Sequence, residues 1–175
     1  MVESFELPVE LPSCRLALVT SATAQVLSVL LCKMDPWRTL GYHADGLQRY
    51  LLREDPALVR AAVFREGVLA GVMCVRSPWL CGASVELLAV LPENQGKGLG
   101  ADVMAWIEDQ AVMIGPNLWT TVSSFNGDAQ RFYARNGFDQ VACLADLIKP
   151  GFDELLLRKR LRPSEGLEAG ETNEV

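Results

Sequence analysis

A single histidine, His43, stands in a chain of 175 residues. The five cysteines, Cys14, Cys32, Cys74, Cys81 and Cys143, are odd in number and form no C-x-x-C pair and no cluster with histidine. Such a pattern indicates neither a disulfide framework nor a zinc site. Reduced, mostly buried thiols in a cytoplasmic protein are expected instead, and Cys81 and Cys143, which have no histidine partner, are read as buried structural thiols. Long apolar runs are also missing. The longest near the N-terminus, VLSVLLC, is far too short to span a bilayer, and the opening MVESFELPVELP is acidic and proline-containing, unlike a signal peptide. No membrane association is expected. Basic residues are outnumbered, 16 Lys and Arg against 22 Asp and Glu, which disfavours a nucleic-acid partner. An acidic surface suits a cationic substrate such as an amine, and equally suits simple solubility. No internal repeat is found.

The composition that remains, half hydrophobic and 22% charged, is that of one globular domain with a sizeable core. The domain is placed at 1–161. The segment 162–175, with Glu165, Glu168, Glu171 and Glu174 and almost no apolar residues, reads as a disordered acidic tail. After a lead-in over 1–13, Cys14–Val19 reads as a strand. Ser21 then caps a helix whose apolar residues, from Ala22 through Val26, Leu27, Leu30 and Leu31 to Met34, recur at helical spacing. Asp35-Pro36-Trp37 stops that helix, and a short second one follows at about Ala44–Arg53. Val59–Phe64 and Val68–Val75 are strands joined by a hairpin at Glu66-Gly67. Ser84–Val90 is a third strand. A helix carrying Leu99, Val103, Trp106, Ile107, Ala111 and Ile114 on one face runs to Gly115-Pro116. Leu118–Ser124 is a strand, Asn126 to Gly137 a capped short helix, and two strands around Pro150-Gly151 complete the domain. Hairpin-linked strands followed by strand–helix–strand imply a mixed sheet with helices on both faces.

Between the strand ending at Val90 and the helix from Leu99 lie Gly96, Gly98 and Gly100, at every second position. A helix N-terminus presents unpaired N–H groups and the positive end of the helix dipole. Glycines let an anion approach that backbone. Gln95 to Gly100 therefore reads as a pyrophosphate cradle, with Lys97 adding charge; the competing reading is a sharp turn with no ligand. A nucleotide P-loop is ruled out because Lys97 is followed by Gly98 rather than Ser or Thr. The stretch GKGLGA formally matches a dinucleotide fingerprint, but that motif follows the first strand of a βαβ unit, and antiparallel hairpins precede it here.

With its flanks, this stretch resembles the GNAT superfamily of N-acetyltransferases. The family motif Q/R-x-x-G-x-G/A appears as Gln95-Gly96-Lys97-Gly98-Leu99-Gly100. A second motif appears as Asn126, Ala129, Phe132-Tyr133 and Gly137-Phe138. The resemblance is strong from about Ser84 to Val141 and rests on element order alone from Cys14 to Pro78. It implies an α/β (α+β) fold with a central mixed, mostly antiparallel sheet of about seven strands and a splayed parallel pair, Ser84–Val90 beside Leu118–Ser124. It further implies that Leu88, Ala89 and Val90 pair through their backbones with the pantetheine arm of acetyl-CoA, that Gln95 and Gly96 to Ala101 hold the pyrophosphate, and that Asn126 contacts the arm near the splay. Tyr133 would reach the thioester sulfur and protonate the leaving thiolate. A homodimer is also consistent with the family.

The implied reaction is acetyl-CoA-dependent N-acetylation of a primary amine, on a small-molecule or peptide acceptor that the sequence does not select, by direct attack on the thioester. The alternative is a non-catalytic acyl-CoA-binding or sensing module on the same fold. Several relatives that acetylate protein N-termini carry a Glu where this chain has Thr121. Glu86 is the first candidate for the general base, and a water relayed by Thr121 or Ser123 is the second. Trp37, Tyr42 and His43 lie where relatives build the acceptor pocket, although a loop histidine is more often solvated and Trp37 suits a core plug. No metal ligand set is found.

Overall fold

The computed structural model describes residues 5–161. Eight strands form one sheet in the order β1-β2-β3-β4-β5-β6-β8-β7. They are β1 (Val9–Glu10), β2 (Arg15–Leu18), β3 (Leu58–Arg65), β4 (Val68–Arg76), β5 (Gly82–Val90), β6 (Asn117–Ser123), β7 (Asp139–Lys149) and β8 (Phe152–Arg160). Every neighbouring pair is antiparallel except β5 and β6. The helices are α1 (Ser21–Leu31), α2 (Trp37–Leu40), α3 (Ala44–Leu52), α4 (Leu99–Ala111) and α5 (Gly127–Arg135). The tail expected over 162–175 lies outside the described residues.

Local chemistry accounts for where these elements differ from expectation. The extra strand is β1, two residues of the lead-in that pair Val9 with Leu16; so short a piece has no alternation to read. The cap of α1 is Thr20 rather than Ser21. Thr20 Oγ1 accepts from the Thr23 N–H at 3.2 Å, and Thr23 Oγ1 accepts from the Thr20 N–H at 2.8 Å, a reciprocal capping box. Pro36 starts a helical turn as well as stopping one, since its fixed φ suits a helix start; α2 follows and ends at Gly41, with φ 81°. Helix α4 stops at Ala111, and Gly115 lies beyond it. A Cβ at Gly115 would stand 2.6 Å from the Cys81 carbonyl oxygen, so close approach of two backbones selects glycine there.

Strand side chains alternate between the two faces. On one, Leu16, Val63, Met73, Val75 and Leu118 pack against Leu99, Val103, Met104 and Ile107 of α4 and Tyr133 of α5. On the other, Ala62, Val72, Cys74 and Leu87 pack against Leu27 and Leu31 of α1 and Leu47 and Leu51 of α3. Each fully buried leucine contributes about 1.5–3 kcal/mol relative to exposure, so both helical layers are held to the sheet.

The sheet opens at one place. β5 pairs with β6 only from Gly82–Val85 to Asn117–Thr120. Cys74 opposes Leu87 while Val75 opposes Val85, which leaves Glu86 as the extra residue of a β-bulge in β5. A bulge bends its strand and increases its twist. Beyond it, β5 stays on β4 as far as Val90, whereas β6 continues on β8, Thr121 opposite Leu156 and Ser123 opposite Glu154. The closed end is tight: a Cβ at Gly82 would lie 1.9 Å from the Asn117 carbonyl oxygen. Gly82→Ala is therefore expected to cost about 1–3 kcal/mol as an overpacked site. A thermal unfolding scan should register this as a fall in Tm of roughly 2–12 °C; an unchanged Tm would mean the strands separate more easily than this contact allows.

Candidate active site

The glycine turn follows a short 3₁₀ turn at Pro92–Asn94. Gly96 and Gly98 have φ of 71° and 85°, and no atom lies within 4 Å of where their Cβ atoms would be. Both adopt backbone conformations that suit glycine, beside open space. Gly98 is the N-cap of α4 and makes no side-chain cap bond. Among the described residues, the N–H groups of Gly96 through Gly100 donate to no protein acceptor, while those of Ala101 and Asp102 return to the Gly98 carbonyl at 3.0 and 3.1 Å. The result is a row of free donors at the positive end of a helix, the arrangement that binds phosphate. Gln95 Nε2 donates to the Val90 carbonyl at 2.9 Å and Lys97 Nζ to the Glu93 carbonyl at 2.7 Å. Leu99 brings only its backbone to the turn, since its side chain is buried in the core. Gly100 is small for another reason. A Cβ there would meet the Phe132 ring at 3.2 Å, so its bare backbone lets α5 pack against α4.

Leu88, Ala89 and Val90 end β5 past the point where β6 has left, so their β6-facing edge carries no strand. Their side chains are engaged in packing, Leu88 and Val90 towards α4 and Ala89 towards α1 and α3. At the fork, Thr120 Oγ1 donates to the Val85 carbonyl at 3.0 Å. Tyr133 is buried between Phe132 and Phe138, each ring centroid 5.3 Å away. Burial raises its phenol above the ordinary tyrosine value, and the Thr120 hydroxyl partly offsets this. Tyr133 is thus a protonated donor beside the fork at neutral pH. Asn126 caps α5, its Oδ1 accepting from the Ala129 N–H at 3.2 Å, which leaves its Nδ2 without a protein acceptor among the described residues.

The α1/α3 side of the fork carries the charges. Glu86 accepts from Arg76 Nε through Oε1 and from the Tyr50 hydroxyl through Oε2 at 2.8 Å. Arg76 also reaches Asp55 at 3.0 Å, and the two carboxylates hold its guanidinium firmly protonated. Burial pushes the Tyr50 phenol up, with Cys74 and Glu86 adding to the shift. Across the opening on β6 stand Thr121 and Ser123, while Trp119 lies in the paired part of the strand, opposite Ser84. Arg158 lies over the Trp119 ring at 5.5 Å. Thr121 is exposed; Ser123 is buried and donates to Glu154 Oε1 at 2.5 Å. Glu154, on β8, is absent from the sequence-based candidates; beside Asp153 and ahead of Arg158, Lys159 and Arg160, it does not stand out in its strand as Glu86 does in SVELLAV. Of the residues before α3, Trp37 packs partly buried against the core. Tyr42 is only partly covered, at 38% exposure, and its phenol is raised by desolvation and then by Glu154. His43 is exposed and starts α3 without a side-chain cap.

The cysteines divide contrary to expectation. Cys81 and Cys143 are exposed, and Cys14 and Cys74 are the buried ones. Cys81 sits in the tight turn before β5 with φ 55°, and Cys143 lies on the edge strand β7.

Comparison with known proteins agrees with this geometry. Residues 25–138 match the acetyltransferase (GNAT) family, and the chain belongs to that family. An aminoalkylphosphonate N-acetyltransferase of Salmonella typhimurium is 28% identical over 140 residues, spanning 74% of this chain and 88% of that protein. An acetyltransferase from Thermus thermophilus shares the fold at a TM-score of 0.69 and 21% identity, over 89% of this chain and all of that one. An aminoglycoside 6'-N-acetyltransferase crystallised with coenzyme A superposes with a TM-score of 0.67 at 14% identity, over 83% of this chain and 94% of its own. The protein is an N-acetyltransferase of the GNAT class. No helix among the described residues is long and apolar enough to cross a membrane.

The packing around the thiols has a direct check. Burial pushes the Cys74 thiol up to about 12, so it stays protonated and unreactive. A thiol reagent at pH 8 is expected to modify Cys81 and Cys143 in the folded protein and to reach Cys14 and Cys74 only on unfolding. Peptide mass spectrometry locates the labels, and early modification of Cys74 would contradict the placement of α3 on the sheet.

Proposed function

We propose that the protein transfers an acetyl group from acetyl-CoA to a primary amine by direct attack of the amine on the thioester. The observation that carries this reading is the row of free N–H groups from Gly96 to Gly100, just past a strand edge that has lost its neighbour. The two features suit one extended ligand with a phosphate at one end and amide groups along its arm. The turn holds the pyrophosphate, with Gln95 fixing its approach from β5 and Lys97 at its rim. The free edge of Leu88, Ala89 and Val90 pairs with the pantetheine amides, and Asn126 Nδ2 meets the arm from the other side. When bound there, acetyl-CoA supplies an acyl carbon already activated as a thioester.

The chain's own groups do the rest. A β5 backbone N–H at the free edge polarises the thioester carbonyl, and Tyr133 donates to the leaving sulfur. The acceptor enters from the α1/α3 side, where Arg76, Tyr50 and Glu86 form one wall and Thr121 and Ser123 the other. Glu86, with both oxygens engaged, orients the acceptor's cationic end. An alkyl ammonium has a reference pKa of about 10.4, so at neutral pH its nitrogen must give up a proton before attack. The similarity to an aminoalkylphosphonate N-acetyltransferase supports a small primary amine as acceptor.

Calorimetry with acetyl-CoA is expected to show saturable micromolar binding, with none for NAD⁺. Gly98→Glu should abolish that binding while the circular dichroism spectrum stays unchanged; retained affinity would remove the pyrophosphate from this turn. Tyr133→Phe is expected to keep acetyl-CoA affinity and to lower kcat by about 10²-fold, the scale of a lost proton-transfer group. A panel of 2-aminoethylphosphonate, spermidine and an aminoglycoside tests the acceptor class. Acetyl-CoA binding without turnover of any amine would favour a sensing module.

A further inference from the structure

Glu154 is 3% exposed, on the α1/α3 face of β8, directly opposite Ser123. Ser123 in turn ends β6 along the open fork, where β5 no longer covers it. Ser123 Oγ donates to Oε1 of this carboxylate. The other oxygen, Oε2, has no protein partner, yet it is not sealed in: among the described residues, the enclosed side-chain polar atoms left unpaired are Ser13 Oγ and Arg65 Nη1. A buried carboxylate beside the fork, on the α1/α3 face of the sheet, is therefore left with one oxygen that is not fully enclosed. The titratable and polar groups facing it are Ser123 from β6 and the Tyr42 phenol ahead of α3. Lys149, at the end of β7, gives its ammonium to the Thr39 carbonyl at 3.1 Å. No ion pair involves Glu154 among the described residues. Glu86 differs, because Arg76 and Tyr50 occupy both its oxygens.

We propose that Glu154 is the proton acceptor of the transfer, its Oε2 taking the proton that the acceptor ammonium releases before the nitrogen attacks. This rests on the acetyltransferase reading above. Two protons leave the nitrogen as the N–C bond forms and the C–S bond breaks. The first goes to Glu154 and on to solvent; Tyr133 gives its proton to the departing sulfur, and the second nitrogen proton, passed through solvent, restores the phenol. Burial holds the Glu154 carboxyl above the usual carboxylate value, and the Ser123 bond moderates the rise. A base lifted in this way is better matched to an ammonium than an ordinary carboxylate is.

Glu154→Gln keeps the size of the side chain and the acceptor for Ser123. Acetyl-CoA affinity should stay within about twofold. At pH 7, kcat/KM for the amine should fall by about 10²-fold. The parent's kcat/KM should rise with pH and level off once Glu154 is ionised. The variant should show no such plateau, rising about tenfold per pH unit with the free amine. Ser123→Ala removes a bond that favours the carboxylate and should shift the acidic limb to higher pH, which keeps a test available if Glu154→Gln does not fold. Glu86→Gln should leave the limb in place. An active parent whose limb survives Glu154→Gln, stays put in Ser123→Ala or vanishes in Glu86→Gln overturns the assignment alone. A parent that binds no acetyl-CoA and acetylates no amine overturns the acetyltransferase reading and this assignment with it.

Discussion

Hydrogen bonding between β5 and β6 stops at Val85 and Thr120, and the function proposed here depends on that stop. The closed end is held by Gly82 against Asn117, by the parallel rungs above it and by the Thr120 hydroxyl on the Val85 carbonyl. The bulge at Glu86 then turns β5 away. Two strand edges are left facing each other across a gap. Unpaired backbone donors and acceptors that become buried cost about 1–3 kcal/mol each, so a ligand that lines the gap must bring its own amides. The gap is tolerable because one apolar layer, under α4 and α5, takes residues from both β5 and β6 and so spans the fork.

The protein is acidic overall, with a formal net charge of -6, yet the phosphate site proposed for it lies at the positive end of a helix dipole. The two facts are compatible because surface charges are screened over about 8 Å at physiological ionic strength. The free N–H groups at the start of α4 act at hydrogen-bond distance and are little affected by distant carboxylates. On the proposed acceptor side the carboxylates of Glu86 and Glu154 lie on the α1/α3 face, the opposite sign to the turn.

Glu86 and Glu154 are both carboxylates in strands that border the gap, and their surroundings divide the work between them. Glu86 is locked to Arg76 and Tyr50, which gives a fixed wall. Glu154 has one hydroxyl donor and, among the described residues, no counter-ion, which suits the proton-accepting role proposed for it. Tyr133, on the far side of the sheet, is kept protonated by burial. A proton acceptor on one side and a donor on the other match a reaction in which nitrogen loses protons as sulfur gains one.

Much of this is legible along the chain, because it depends on near neighbours. Apolar periodicity marks α1, α3 and α4, β-branched runs mark the strands, and the spacing of Gly96, Gly98 and Gly100 marks the turn. Even so, the turn hides a division of labour: Gly96 and Gly98 serve the backbone and the open space, while Gly100 serves Phe132. The capping threonine, the single turn of α2 and the two-residue β1 are too short for any period to register. The order of elements and the free N–H groups at the start of α4 are written in the chain itself, since both follow from local backbone preference. Three features come from the assembled fold: where the parallel pair parts, which cysteines are buried, and the meeting of Glu154 with Ser123 from 31 residues away. These depend on strand register and on contacts between distant segments, and neither is encoded in any one stretch of chain.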